Sequence, residues 1–170
     1  MAPRKLAIVA ATMLAGNAMA AEPEARTASF VDSKGHAAGS AQLTAMAAGG
    51  VLMRLDLVGL PAGQWVAFHV HETGACDPAT GHKSAGGHFN PASKEHGYNS
   101  AGGSHAGDMP NQQVAADGSL QAEVFNPMVT LDNGEAGIVG RALMIHAGPD
   151  DYESQPSGDA GDRLACGVIE

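Results

Sequence analysis

The sequence predicts an all-β protein: an eight-stranded antiparallel Greek-key sandwich or flattened barrel with two long functional loops. Three observations predict this fold. Short runs rich in β-branched and other apolar residues recur along the chain, and Gly, Pro, Asn and Asp separate them. No helical period is convincing outside the N-terminal leader, and 23 glycines are scattered through the chain. Short strands joined by such turns pack most simply as an antiparallel sandwich or barrel.

The leader comes first in the chain. Arg4 and Lys5 precede a short apolar stretch, and Ala18-Met19-Ala20 is a small-residue cleavage site, as in secretory signal peptides. We expect residues 1–20 to be removed and residues 21–170 to form one domain. The apolar stretch is shorter than the ~20 residues of a membrane span, and no later segment approaches that length, so no membrane partner is expected after cleavage. We expect the mature protein to be exported to the periplasm, and release from the cell is the alternative.

The first half of the domain contains four β runs, each bounded by a turn. Run 27–32 ends at Ser33-Lys34-Gly35, and run 41–47 alternates apolar with polar residues before the Ala48-Gly49-Gly50 turn. Run 51–58 is the clearest, because its apolar residues alternate with Arg54 and Asp56, which places them on one face. Run 65–71 follows the break made by Leu60-Pro61-Ala62-Gly63.

The second half repeats this pattern. Runs 112–115 and 119–125 flank Asp117-Gly118, a strong hairpin signal. Asp132-Asn133-Gly134 separates two further runs, and a last run closes the chain; these three cover residues 129–131, 141–146 and 163–169.

Two loops are too long to be simple connections. The first, residues 72–109, has 38 positions, whereas ordinary connections have about 4–6. The second is polar and covers residues 147–162. His69 and His71 lie just before the first loop, and at i and i+2 of a strand they project from the same face. They can therefore share one metal ion, and metal coordination would hold the long loop in place.

Charge and cysteine content narrow the function classes. Removing Arg4 and Lys5 from nine basic residues leaves seven against 18 acidic ones, a net charge of −11 for the mature chain. This charge argues against nucleic acid and anionic lipid as partners. The two cysteines, Cys76 and Cys166, predict one disulfide in an exported protein, with two buried free thiols as the alternative.

Six of the eight histidines form an ordered set: His69, His71, His88, His96, His105 and His146. We interpret the other two, His36 and His82, as ordinary surface or satisfied core residues. Imidazole nitrogen suits copper and zinc, while the carboxylate of Asp108, next to His105 in the same stretch, suits zinc better than copper. The cluster contains no methionine or cysteine that would indicate a soft Cu(I) carrier.

Five sequence blocks, in order, resemble the copper,zinc superoxide dismutases. The resemblance covers nearly all of residues 27–169. The blocks are Phe68-His69-Val70-His71-Glu72, Gly86-Gly87-His88-Phe89-Asn90-Pro91, His105-Ala106-Gly107-Asp108, Gly140-Arg141-Ala142-Leu143-Met144-Ile145-His146 and Gly161-Asp162-Arg163-Leu164-Ala165-Cys166-Gly167-Val168-Ile169.

This resemblance implies a ligand set for two metal ions. Copper would be held by His69, His71, His88 and His146. Zinc would be held by His88, His96, His105 and Asp108, with His88 bridging the two ions as an imidazolate. Asp150 matches a carboxylate that orients one copper ligand and one zinc ligand, here His69 and His96; a solvated loop acid is the alternative.

The resemblance also assigns roles near the open copper position. Arg163 matches an arginine that holds a small anion there, because its guanidinium is always charged and offers a rigid fork of donors; a surface charge is the alternative. Cys76 would pair with Cys166 and anchor the first loop to the last strand. The second loop contains no lysine, so the resemblance does not extend to lysine-assisted steering of the substrate.

The implied reaction is one-electron cycling of copper. One superoxide reduces Cu(II) and leaves as oxygen; a second oxidises Cu(I), takes up two protons and leaves as hydrogen peroxide, with His88 donating one of them. Zinc has no redox chemistry, so its roles are structural and electrostatic. An exported copper- and zinc-binding protein without turnover is the alternative function, and a dismutase-like structural domain is a third. The resemblance leaves the oligomeric state open, with a homodimer among the options.

Overall fold

The computed structural model describes residues 24–170, so the predicted signal peptide, residues 1–20, lies outside the described residues. Strands dominate this part of the chain, and the predicted all-β fold is confirmed. The nine strands are β1 (Ala25–Asp32), β2 (Ala37–Ala45), β3 (Val51–Leu57), β4 (Trp65–Val66), β5 (Phe68–His71), β6 (Gln112–Gln113), β7 (Leu120–Asn126), β8 (Ala142–His146) and β9 (Arg163–Ile169).

Seven strands form one curled antiparallel sheet in the order β5-β8-β9-β1-β2-β3-β7, and β4 pairs with β6 in a small second sheet. The neighbours β5 and β8, β9 and β1, and β3 and β7 are far apart in sequence, as in Greek-key connections. This order matters for the site because it places β5, β8 and β9 side by side. His146 ends β8 opposite Arg163, the first residue of β9.

The core lies on the inner face of the curled sheet. On β3, every second residue is buried, namely Val51, Met53, Leu55 and Leu57, as the alternation in the sequence predicts. Phe30 of β1 and Phe68 of β5 belong to the same apolar cluster. Burying each large apolar side chain contributes about 1.5–3 kcal/mol, so this cluster gives the loops a rigid support.

Three details differ from the sequence-based expectation. The run predicted at 65–71 divides at Ala67. The Ala67 main chain donates to the Gly148 carbonyl oxygen and accepts from the His146 N–H, while β4 pairs with β6. This division adds one strand, and the described residues contain nine strands where eight were predicted. Run 129–131 is not a strand but forms one isolated bridge between Thr130 and Gly137. The Asp117-Gly118 turn forms, yet β6 pairs with β4 instead of forming a hairpin with β7.

The disulfide fixes the long first loop to the sheet. Cys76 is bonded to Cys166 of β9, with their Cα atoms 5.5 Å apart, so the predicted disulfide is confirmed. The loop contains two short 3-10 turns, Pro78–Thr80 and Lys83–Ala85. Within residues 24–170, no helix is long and apolar enough to cross a bilayer.

Candidate metal centre

Three histidines on adjacent strands meet a fourth from the first loop. His69 and His71 belong to β5, His146 ends β8, and His88 forms an isolated bridge with His71. All four residues are buried, and one ligand atom from each lies within 4.8 Å of the others. Within this group, Nε2 of His71 and Nε2 of His146 lie 3.3 Å apart.

In each of these two imidazoles, the hydrogen bond made by Nδ1 determines that Nε2 carries the lone pair. Nδ1 of His71 donates to the carbonyl oxygen of Gly86 at 3.0 Å, and Nδ1 of His146 donates to that of Gly161 at 3.3 Å. Because a carbonyl oxygen only accepts, each neutral ring must present a bare Nε2. Two bare nitrogens 3.3 Å apart repel each other, and a cation between them turns this repulsion into coordination.

The other two imidazoles fit the same ion. Nε2 of His69 is bonded to Asp150 Oδ2 at 2.8 Å, which leaves its Nδ1 facing the cluster. In the described part of the chain, His69 Nδ1 and His88 Nε2 are buried and have no hydrogen-bond partner. Buried polar atoms rarely lack a partner, so these orphaned nitrogens indicate a ligand. Four converging imidazoles suit copper among the common metals.

A second group surrounds Asp108. Its Oδ1 lies 2.9 Å from His88 Nδ1, 3.1 Å from His96 Nδ1 and 3.3 Å from His105 Nδ1. In a tetrahedral zinc site with bonds of about 2.0–2.1 Å, neighbouring donor atoms lie about 3.3 Å apart. Asp108 Oδ2 accepts from the main-chain N–H groups of Gly97 and His105, which fixes the carboxylate. Three imidazoles and one carboxylate at these separations therefore fit zinc.

His88 belongs to both groups through its two ring nitrogens. Nδ1 faces Asp108, whereas Nε2 faces His69, His71 and His146. One imidazole could therefore supply a ligand atom to each group.

Asp150, from the second loop, lies behind the two groups. Its buried carboxylate accepts from His69 Nε2 at 2.8 Å and from His96 Nε2 at 3.0 Å. It therefore orients one ring of each group. Gly158 makes room for this carboxylate: its φ is +67°, and a Cβ at this position would overlap Asp150 Oδ1. Only glycine combines that conformation with so close an approach.

Burial keeps most of the first group neutral. It lowers the pKa of His71 to about 2, that of His146 to about 3 and that of His88 to about 4. Burial also lowers the pKa of His69, although its hydrogen bond with Asp150 opposes the shift. Neutral imidazoles bind metal ions without first losing a proton, so this group is prepared for coordination at neutral pH.

At the second group, nearby carboxylates outweigh the effect of burial on the pKa of His96. Burial lowers the pKa of His96, but hydrogen bonds to Asp108 and Asp150 outweigh it and raise the value to about 9. Burial raises the pKa of Asp108, yet hydrogen bonds from the surrounding imidazoles, led by His105, hold it well below its usual range. Asp108 is therefore ionised and available as an anionic ligand.

Arg163 borders the open side of the first group. Its Nη1 donates to the His82 carbonyl oxygen at 2.8 Å, and its Nη2 donates to that of Gly86 at 2.6 Å. These bonds hold the guanidinium at the wall of a pocket of about 370 Å³. The pocket is lined by His71, His88, His146, Pro156 and Ser157 as well as Arg163. A small anion entering it meets a fixed positive charge beside the imidazoles.

The two remaining histidines lie outside both groups. His36 is exposed, with Nδ1 3.2 Å from Asp32 Oδ2. His82 is buried, and neither of its ring nitrogens has a partner among the described residues, so it is not the satisfied core residue that we expected. Sequence reasoning also missed the side chains of Asn111 and Gln155. Their amides bind the main chains of Asp150 and His96, and a polar residue in a loop gives no sequence signal of such a contact.

A curled antiparallel β fold with two adjacent, imidazole-rich sites defines this chain as a dinuclear metalloprotein. The family described as copper/zinc superoxide dismutase matches residues 37–169. A superoxide dismutase [Cu-Zn] of Aquifex aeolicus is 48% identical over 146 residues, which cover 84% of each chain. The chain therefore belongs to the copper/zinc superoxide dismutase family, and the resemblance seen in the sequence is confirmed.

Solved structures agree with this assignment. A superoxide dismutase-like protein from Bacillus subtilis has a TM-score of 0.81 at 35% identity, covering 85% of this chain and 97% of that one. The copper/zinc superoxide dismutase of Brucella abortus has a TM-score of 0.71 at 30% identity, covering 86% of this chain and all of that one.

Proposed function

We propose that this protein dismutates superoxide with copper held by His69, His71, His88 and His146, and with zinc held by His88, His96, His105 and Asp108. As a member of its family, the protein is an oxidoreductase that uses copper and zinc and acts on superoxide. One observation carries the ligand proposal: bare imidazole nitrogens converge within 4.8 Å in one group, and an ionised carboxylate lies among three imidazoles in the adjacent one.

Each residue near the copper position has a separate role in the reaction. Copper, when bound, supplies one-electron redox chemistry that protein side chains lack. Arg163 binds the superoxide anion in the pocket and orients it, because its guanidinium is fixed by two carbonyl groups. His88 holds or releases a proton at Nε2, which faces the first group, while Asp108 anchors its Nδ1 side. Asp150 keeps His69 in the tautomer that leaves Nδ1 free.

The direct test is the rate of superoxide removal by residues 21–170 loaded with copper and zinc. We expect catalysis that requires copper, so the copper-free, zinc-loaded protein should be inactive. Arg163→Ala should retain both metals and lose most of the rate. A metal-loaded wild type with no activity would contradict the proposal and would favour the alternative, a metal-binding protein without turnover.

We also propose that residues 1–20 are a signal peptide, that residues 21–170 are the enzyme domain, and that the mature protein is periplasmic with no membrane partner. The charged, apolar and small-residue segments of the leader support export. Mass spectrometry of the protein from the periplasmic fraction should find Ala21 at the N-terminus. An uncleaved chain in the cytoplasm would contradict this proposal. Light scattering of the same sample would test for the homodimer.

A further inference from the structure

One side chain of the second loop binds the main chain of a residue in the first. Gln155 Oε1 accepts from the main-chain N–H of His96 at 2.8 Å, and Gln155 Nε2 donates to the main-chain carbonyl oxygen of His96 at 2.9 Å. The two residues are 59 positions apart. A single amide thus satisfies both backbone groups of His96, as a neighbouring strand would.

The orientation of this amide is determined by its surroundings. Gln155 Nε2 also donates to the carbonyl oxygen of Glu153 at 3.0 Å and lies 3.2 Å from Ser100 Oγ. Because carbonyl oxygens only accept, the nitrogen must face His96 O and Glu153 O, and the oxygen must face His96 N. The amide therefore has one favourable orientation, and it fixes the position of the His96 backbone.

His96 depends on this contact more than an ordinary loop residue would. It is buried, and within residues 24–170 no other group bonds to its main-chain N–H or carbonyl oxygen. Gln155 itself is exposed on its outer side, so it covers the His96 backbone against solvent. Without the amide, water would have to enter and bond to these groups, and it would not hold them in one place.

The contact between Gln155 and His96 links the second group to the rim of the pocket beside Arg163. On one side, the His96 ring lies with Nδ1 3.1 Å from Asp108 Oδ1 and Nε2 3.0 Å from Asp150 Oδ1. On the other side, Pro156 and Ser157, the residues after Gln155, line the pocket next to Arg163. Movement of Gln155 would therefore displace the zinc side and the rim of the pocket together.

We propose that Gln155 is a positioning residue for zinc: it holds the His96 backbone so that His96 Nδ1 stays directed at the second group. This inference rests on the proposed assignment of His96 as a zinc ligand. Loss of a group that orients a metal ligand typically weakens metal binding by about 10–100-fold. Because water can partly replace the exposed amide, we expect about a 10-fold increase in the zinc dissociation rate for Gln155→Ala.

The experiment compares four proteins, each prepared free of metal and then loaded with copper and zinc. They are the wild type, Gln155→Ala, Gln155→Asn and Gln113→Ala. The Asn variant keeps an amide but is one methylene too short to reach both backbone groups. Gln113 is an exposed glutamine on β6, a strand that pairs with β4 and not with the strands that carry the ligands, and it serves as the matched control. Zinc release into a chromophoric chelator, copper retention, melting temperature and the visible spectrum of Co(II) in place of zinc are measured.

Both Gln155 variants should release zinc about 10-fold faster than the wild type and the control, with an altered Co(II) spectrum. Copper retention should stay within about twofold, because Gln155 bonds to none of the residues in the first group. Equal zinc release by all four proteins would overturn the inference. Parallel loss of copper and zinc with a lower melting temperature would also overturn it, because the role would then be general stability. A wild type that binds no zinc would overturn the ligand assignment and this inference with it.

Discussion

Replacing Asp150 with alanine should weaken the binding of both metals, because one buried carboxylate orients a ring of each group. It accepts from His69 Nε2 at 2.8 Å and from His96 Nε2 at 3.0 Å. A hydrogen bond to a charged group contributes about 1.5–3 kcal/mol. Each lost bond affects a different ion, so the affinity for copper and the affinity for zinc should each fall by about 10–150-fold.

The assay is titration of the metal-free protein with each metal in competition with a chelator of known affinity. Asp150→Asn should show a smaller and unequal loss, because an amide has one oxygen for two N–H donors. Asp159→Asn is the control: it removes one charge from the same loop at an exposed position with a φ of +50°, which Asn tolerates. Wild-type affinity for both metals in Asp150→Ala would refute the argument that this carboxylate orients the rings.

Other changes also have expected outcomes. Asp108→Ala should reduce zinc content while copper and part of the activity remain; unchanged zinc content would show that Asp108 is not a ligand. Reducing the Cys76–Cys166 disulfide should lower the melting temperature, since a closed loop of 90 residues contributes at most about 4.6 kcal/mol in the chain-entropy treatment. Cysteines that alkylate in the unreduced native protein would contradict this.

The rate of superoxide removal should fall slightly as ionic strength rises above ~0.1 M. Charges more than ~8 Å away are largely screened at ~0.15 M, so the local field of copper and Arg163 dominates the approach of the anion. Copper/zinc superoxide dismutase is itself a standard example of steering by charge. Arg163→Glu should slow the reaction and reverse the salt dependence, and a wild-type rate that rises with salt would refute this. The metal-free protein should lose stability as the pH falls below about 6.5. Burial lowers the pKa of His71 in the folded state, to about 2, so acid favours the unfolded chain; calorimetry showing equal stability at pH 7 and pH 5 would contradict this.

The sequence was sufficient for most of the fold and for finding the candidate site. Alternation along β3 predicted its buried face, because residues i and i+2 of a strand share one side of a sheet. The i, i+2 spacing of His69 and His71 indicated one shared ion for the same reason. Four other candidate ligands come from the first loop, and His146 comes from the end of β8. Their identification depended on the family resemblance and not on periodicity.

Long-range pairing decided the features that the sequence did not predict. The division of run 65–71 depends on the bonds of Ala67 with Gly148 and His146, far along the chain. The two hydrogen bonds between Gln155 and the His96 main chain form because the two loops meet. No local sequence pattern predicts such a contact. His82 is buried in the disulfide-bonded first loop, and its carbonyl oxygen accepts from Arg163 of β9, which is another contact between distant residues.

The most direct test of the central claim is the position of each metal in crystals of the loaded mature protein. Anomalous diffraction recorded on both sides of the copper and zinc absorption edges distinguishes the two elements. We expect one copper peak among His69, His71 and His146, and one zinc peak among His96, His105 and Asp108, with the His88 ring between the peaks. A single peak, or a zinc peak remote from Asp108, would contradict the account.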